Sequence, residues 1–152
     1  MVVKVGFSRG TSLIAPWICR ITGHDISHSF FLVDGPDGQW AYEAVLGGFR
    51  KVEWARYQRG NTVKALVDVP WPHDRVRAVL ERMLGTPYPM LGFAALALGW
   101  LIWRNPHRVR WLFGKAVDCV TATVRVLREF GHDMTEPLGP GQLRDYLKAR
   151  FS

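Results

Sequence analysis

The stretch "SHSFFLVDGPDGQWAYEAVL", Ser27 to Leu46, decides the fold. Its two halves, Ser27 to Val33 and Gln39 to Leu46, carry aromatic and β-branched residues, and the first half alternates as a half-buried strand does. Between them, Asp34 to Gly38 reads DGPDG, a dense turn signal. The stretch therefore predicts an antiparallel β-hairpin.

Two polar residues whose side chains could take part in catalysis lie on this hairpin, one on each strand. Antiparallel pairing brings His28 and Glu43 to about the same level of the sheet, and side chains that are opposite or diagonal across such a pair are within reach of each other. The register is open by one residue, and a slip of one residue would put the two side chains on opposite faces. The sequence leaves both arrangements open.

The flanking segments add strands and helices in a mixed order. Val2 to Phe7 and Thr62 to Val69 have the composition of strands, and Thr11 to Thr22, closed by Gly23, has a helical pattern. A clear amphipathic helix follows Pro72 and ends at Gly85, and a short helical pattern occupies Gly139 to Phe151. Apolar spacing places Val76, Val79, Leu80, Met83 and Leu84 on one face of this predicted amphipathic helix. We predict an α+β fold with an antiparallel sheet.

The length and the charge of the chain limit the number of domains and the kinds of partner that we expect. A chain of 152 residues, 48% of them apolar, is long enough for one domain with a buried core, so residues 1–152 are predicted to form a single domain. The formal charge of +7 favours anionic partners such as an envelope polymer or a membrane surface. The densest basic patch, Arg104 to Arg110, has no aromatic platform interleaved with glycines, which disfavours nucleic acid.

Cys119 has the setting of a reactive thiol. The segment "KAVDCVTATVRVLREFG" has helical spacing, with Asp118 as a candidate N-cap and Cys119 in the first turn. A helix N-terminus favours the thiolate, and its unpaired N–H groups can stabilise an oxyanion. The two cysteines, Cys19 and Cys119, match neither a zinc site nor a disulfide-rich scaffold. Nucleophilic catalysis by Cys119 would need no metal and no organic cofactor.

A nucleophilic thiol needs a general base and a group that orients the base, for which His28 and Glu43 are the candidates. Each also has a simpler interpretation. Free cysteine is often a buried hydrophobe, and strand faces carry carboxylates freely. His24 competes with His28 but is predicted to be a solvated loop residue. Cys19 lacks partners and is predicted to pack in the core.

Four stretches in this order resemble a known family. "SHSFFLVD" resembles the histidine strand, "AYEAVLGGFRKV" the acidic strand with its glycine turn, and "GTPYPMLG" and "DCVTATVRVLREFG" the tyrosine loop and the nucleophile helix of NlpC-type cysteine hydrolases. The form is the circularly permuted, papain-like one, which includes the lecithin:retinol acyltransferase-like group. The resemblance runs from about Val5 to Leu143. Val120 departs from the serine that commonly follows the cysteine, and a long apolar insertion separates Tyr88 from Cys119.

The resemblance implies a thiol hydrolase of bacterial or bacteriophage origin with the nucleophile helix packed against the sheet. Cys119 would be the nucleophile, His28 the base and Glu43 the orienting group, with Tyr88 near the substrate or oxyanion. The implied reaction is hydrolysis of peptide amide bonds, as in peptidoglycan, through a thioester acyl-enzyme. The alternatives are a lipid acyl hydrolase or acyltransferase and a non-catalytic virion or envelope-binding module.

Location is the last expectation. The N-terminus MVVKVGFSRG lacks an apolar region followed by a cleavage site, so no secretory signal is predicted, and the protein is expected in the cytoplasm or in a virion. The longest apolar run, Tyr88 to Trp103, is shorter than the roughly 20 residues that cross a bilayer. Tryptophans and arginines follow it, so it is either a buried core segment or an interfacial one.

Overall fold

The computed structural model describes residues 2–11, 15–88, 119–132 and 139–151. Five strands and five helices are present in this part of the chain. In chain order they are β1 (Val3–Gly10), α1 (Ala15–Thr22), β2 (His28–Gly35), β3 (Gly38–Val45), β4 (Gly48–Glu53), α2 (Trp54–Gly60), β5 (Asn61–Val69), α3 (His73–Met83), α4 (Cys119–Glu129) and α5 (Pro140–Phe151).

The strands form one sheet with the order β4-β3-β2-β1-β5, and every neighbouring pair is antiparallel. The predicted hairpin is β2 and β3, and β3 continues into β4 through a second tight turn. β5 returns to pair with β1 at the far side of the sheet. With helices packed on this sheet, the α+β class is confirmed.

The register of the hairpin decides which side chains share a face. Phe30 lies opposite Glu43, and Phe31 lies opposite Tyr42. Phe31 and Tyr42 belong to the main core, whereas Phe30 belongs to a second cluster on the other face. Glu43 therefore lies on the second face, as does His28, because His28 precedes Phe30 by two residues.

Helices cover the two faces unequally. The main core lies on the face where α4 packs against β2 and β3, and it includes Phe7, Val76, Leu80, Val124 and Leu127. The second face is covered by the short helix α2, whose Tyr57 packs on Phe30 with ring centroids 4.4 Å apart. Neither α2 nor a separate strand β4 was predicted from the sequence, because both are short and their residues alternate weakly.

No helix in the described ranges is both long enough and apolar enough to cross a membrane. Of the apolar run Tyr88 to Trp103, only Tyr88 belongs to the described residues. Its interpretation as a core or interfacial segment therefore stays a prediction.

The turn between β3 and β4 is pinned to the segment after α3. Gly48 has φ +107°, and a Cβ at this position would lie 2.8 Å from the carbonyl oxygen of Thr86. Two backbone hydrogen bonds close the contact: Phe49 N donates to Thr86 O at 2.8 Å, and Gly85 N donates to Phe49 O at 2.9 Å. Only glycine combines this backbone conformation with such a close approach.

We expect Gly48→Ala to lower the free energy of unfolding by about 2 kcal/mol or more, because it adds backbone strain to a clash with a carbonyl group. Denaturant titration followed by circular dichroism measures the effect. The matched control is Gly47→Ala, since Gly47 is exposed and a Cβ there meets no atom within 4 Å. Equal stability of the two variants would contradict the requirement for glycine at position 48.

Candidate active site

His28 and Glu43 are in direct contact. His28 is the first residue of β2, and its Nε2 donates a hydrogen bond of 2.9 Å to Glu43 Oε2. The two residues are diagonal neighbours across the hairpin, since Glu43 lies opposite Phe30. Of the two arrangements that the sequence left open, the structure has the one with both side chains on the same face.

Glu43 is a buried carboxylate with a cation at each oxygen. Its side chain is 3% exposed. Arg50, directly opposite on β4, donates from Nε and Nη2 to Oε1 at 2.9 and 2.7 Å. Burial alone would raise the pKa of Glu43, but the hydrogen bonds and charges of His28 and Arg50 outweigh burial and lower it. Glu43 is therefore ionised at neutral pH and fixed by two partners.

The first described turn of α4 is fastened to β2. The hydroxyl of Ser29, itself buried, donates to the carbonyl oxygen of Cys119 at 2.8 Å. The hydroxyl of Thr123 donates to the same oxygen at 3.2 Å. The bond from Ser29 joins the backbone of Cys119 to β2, one residue after His28, whereas the bond from Thr123 lies within α4.

The Cys119 thiol lies close enough to the His28 ring for its hydrogen-bonding and its charge to raise the pKa of the imidazole. Since Nε2 of the ring is bonded to Glu43, Nδ1 is the nitrogen that remains for the sulfur. The Cys119 residue is 8% exposed, and the side chain of His28 is 13% exposed. Cysteine, histidine and glutamate thus form a chain of neighbouring side chains, with the imidazole between the other two.

The environment favours a protonated imidazole. Burial lowers the pKa of His28, but the hydrogen bonds to Cys119 and Glu43 and the negative charges of these two groups outweigh it and raise the pKa to about 10. A positively charged imidazole favours the thiolate form of a neighbouring thiol, which is the nucleophilic form of cysteine.

A buried pair of hydroxyls lies beside this chain of contacts. Ser8 is opposite His28 in the β1–β2 pairing, and the hydroxyls of Ser8 and Tyr57 share a hydrogen bond of 2.8 Å. Burial raises the pKa of Tyr57, and the charges of Glu43 and Cys119 add to that rise, although the bond with Ser8 opposes it. The phenol therefore stays neutral and donates or accepts hydrogen bonds only.

The other predicted site residues have different outcomes. Tyr88 is partly buried and packs against the main core, and its place beside a substrate stays a prediction. The N-cap assigned to Asp118 lies outside the described residues.

His24 lies in the loop between α1 and β2, as expected, but it is not fully solvated: its side chain is 24% exposed, its ring packs against Gly141 of α5, and its Nε2 lies 3.3 Å from Asp145 Oδ2. The expectation for Cys19 was wrong. Cys19, predicted to pack in the core, is partly exposed and does not belong to the core cluster.

Sequence reasoning missed Arg50, Ser8 and Tyr57. The signal for Arg50 was present, because the glycine pair in "YEAVLGGFRK" predicts a tight turn, and a hairpin centred there puts Arg50 opposite Glu43. Ser8 and Tyr57 carried no such signal, since they meet through the long-range pairing of β1 and the packing of α2.

Within the described ranges, no group of three or more histidine, cysteine, aspartate and glutamate side chains could hold a metal ion.

Among solved structures, the chain is similar to the metalloprotein yiiX from Escherichia coli O157:H7, a DUF1105 protein. The likeness has a TM-score of 0.62, covers 99% of this chain and 81% of that chain, and comes with 18% sequence identity. At that identity the likeness concerns the fold alone. Neither the protein-family models nor the curated proteins give a match to this chain.

We expect the His28 ring to titrate well above its usual pKa of 6.5, near 10, because its two acidic neighbours favour the charged form. Cys119→Ser and Glu43→Gln should each lower the midpoint, since each removes a charge and weakens a hydrogen bond that raise it. NMR titration of the labelled imidazole measures the midpoints. An unchanged midpoint in both variants would show that the contacts are not those described.

Proposed function

We propose that the protein is a cysteine hydrolase of the NlpC type, in the circularly permuted, papain-like form, acting through an acyl-enzyme on Cys119. The observation that carries the proposal is the His28 ring, bonded through Nε2 to Glu43 at 2.9 Å and close enough to the Cys119 thiol for the thiol to raise the pKa of the imidazole. A nucleophile, a base and a group that orients the base, joined in this sequence, make up a catalytic triad.

The arrangement along the chain supports the papain-like interpretation. The histidine strand comes first, the acidic strand second and the cysteine helix last, which is the order of the permuted family that the sequence resembles. α4 packs against β2 and β3, the two strands that carry His28 and Glu43. Val120, which replaces the usual serine, is buried in the main core.

The proposed reaction begins from the thiolate–imidazolium pair. The sulfur of Cys119 attacks the substrate carbonyl carbon, and the carbonyl electrons move to oxygen. The oxyanion collapses, the carbon–nitrogen bond breaks, and the amine leaves with the proton of His28. Water, deprotonated by His28, then attacks the thioester and releases the acid and the thiolate. Glu43 keeps the imidazole oriented through both steps, and N–H groups of the first turn of α4 stabilise the oxyanion.

The substrate proposed first is a peptide amide of the bacterial cell wall, as the resemblance implies. The positive charge of the chain suits an anionic envelope polymer as the surface on which it works. Lipid acyl groups are the second candidate. The observation that favours them is the apolar run from Tyr88 to Trp103 with arginines immediately after it.

We expect an electrophilic thiol probe to label Cys119 faster than Cys19 near neutral pH, although Cys19 is the more exposed of the two. His28→Ala should slow labelling of Cys119 and leave Cys19 unchanged. Mass spectrometry of the digested adduct measures both rates. A purely structural Cys119, in a binding module without catalysis, would react no faster than Cys19.

A binding assay distinguishes the two proposed substrate classes. If the wall peptide is the substrate, the protein should sediment with isolated peptidoglycan and release new amino groups from it, and Cys119→Ala should abolish release but not binding. If the lipid is the substrate, the protein should sediment with anionic liposomes in a manner that depends on Trp100 and Trp103. Binding to liposomes without binding to peptidoglycan would contradict the first candidate.

A further inference from the structure

We infer that Arg50 is a positioning residue of the proposed active site, which holds Glu43 in the ionised form and in the orientation that fixes the His28 ring. The inference rests on the proposed function. Arg50 does not touch the sulfur or the imidazole in any contact of the described residues, so it would act only through Glu43.

The two oxygens of the Glu43 carboxylate have different partners. Arg50 occupies Oε1 with two N–H donors, which leaves Oε2 for His28. A carboxylate bonded at one oxygen only could rotate about its last bond and turn either oxygen to the ring. The two-donor contact with Arg50 prevents that rotation and keeps Oε2 in line with Nε2.

The electrostatic surroundings give Arg50 a second effect. The groups that face Glu43 are His28 from β2, Arg50 from β4 and the phenol of Tyr57 from α2, with the sulfur of Cys119 behind the ring. Burial favours a protonated carboxyl, and without Arg50 only the imidazolium would oppose that tendency. Glu43 would then take up a proton at higher pH and stop stabilising the imidazolium.

Arg50 is reachable from solvent although its partner is not. Its side chain is 57% exposed, against 3% for Glu43. An exposed arginine often forms a surface ion pair of little consequence. If Arg50 forms only a surface ion pair, its removal should leave the reactivity of the Cys119 sulfur unchanged. If Arg50 is a positioning residue, its removal should change that reactivity.

The experiment measures the rate of alkylation of Cys119 by iodoacetamide across the acid and neutral pH range, in the full chain. We expect Arg50→Ala to move the acid limb of this profile to higher pH. The acid limb of Arg50→Lys should lie between that of Arg50→Ala and that of the wild type. Guanidinium ion, added below denaturing concentration, should restore part of the profile of Arg50→Ala, because the vacated position is open to solvent. With a hydrolysed substrate, kcat should fall about tenfold or more while KM stays within about a factor of two.

Arg56→Ala is the matched control, since Arg56 is an exposed arginine on the neighbouring α2 and its loss changes the net charge equally. Circular dichroism and thermal unfolding confirm that the variants fold. Coincident profiles for Arg50→Ala and Arg56→Ala would overturn the inference. If the Arg50→Ala profile moves but the wild type hydrolyses no acyl substrate, the proposed function fails and the positioning role of Arg50 stands.

Discussion

The candidate site depends on one buried negative charge. Glu43 lies in the middle of β3, where an unpaired carboxylate would carry a large desolvation cost, and cations from both neighbouring strands compensate it. This compensation requires the registers of β2–β3 and β3–β4 together, because His28 is diagonal to Glu43 and Arg50 is opposite. The strand registers therefore place the partners of Glu43, and the need to pair the buried charge in turn favours these registers. A slip of either strand by one residue would leave the carboxylate buried without a partner and would also turn the hydrophobic residues of that strand outward.

Much of this arrangement follows from local sequence signals. The alternation of "SHSFFLVD", the DGPDG turn and the helical spacing after Cys119 predicted the central hairpin, α4, and the position of His28 and Glu43 at about the same level of the sheet. These signals are local, since each rests on a few consecutive residues. The register was left open because the turn residues admit more than one loop length, and the structure resolves it through the burial of Phe31 and Tyr42 on one face and Phe30 on the other.

What sequence reasoning missed is long-range. The second face of the sheet has its own small cluster under α2, built from Phe30, Leu32, Ala41 and Tyr57. Trp54 and Tyr57 stack with ring centroids 5.6 Å apart, yet a helix of one or two turns has too few residues to show a period. Ser8 reaches this region only because β1 pairs with β2 in the middle of the sheet. The packing of the His24 ring was missed for the same reason, since its partner Asp145 lies on α5.

The hydrogen bond from Ser29 to the carbonyl of Cys119 joins residues 90 positions apart. Closing so long a loop has an entropic cost, which the packing of α4 against the sheet must offset. In the unfolded chain the thiol has no imidazole beside it and is an ordinary cysteine. Under the proposed function, the sulfur would therefore become reactive only once α4 and β2 have come together, so that its reactivity would report on the folded state of the protein.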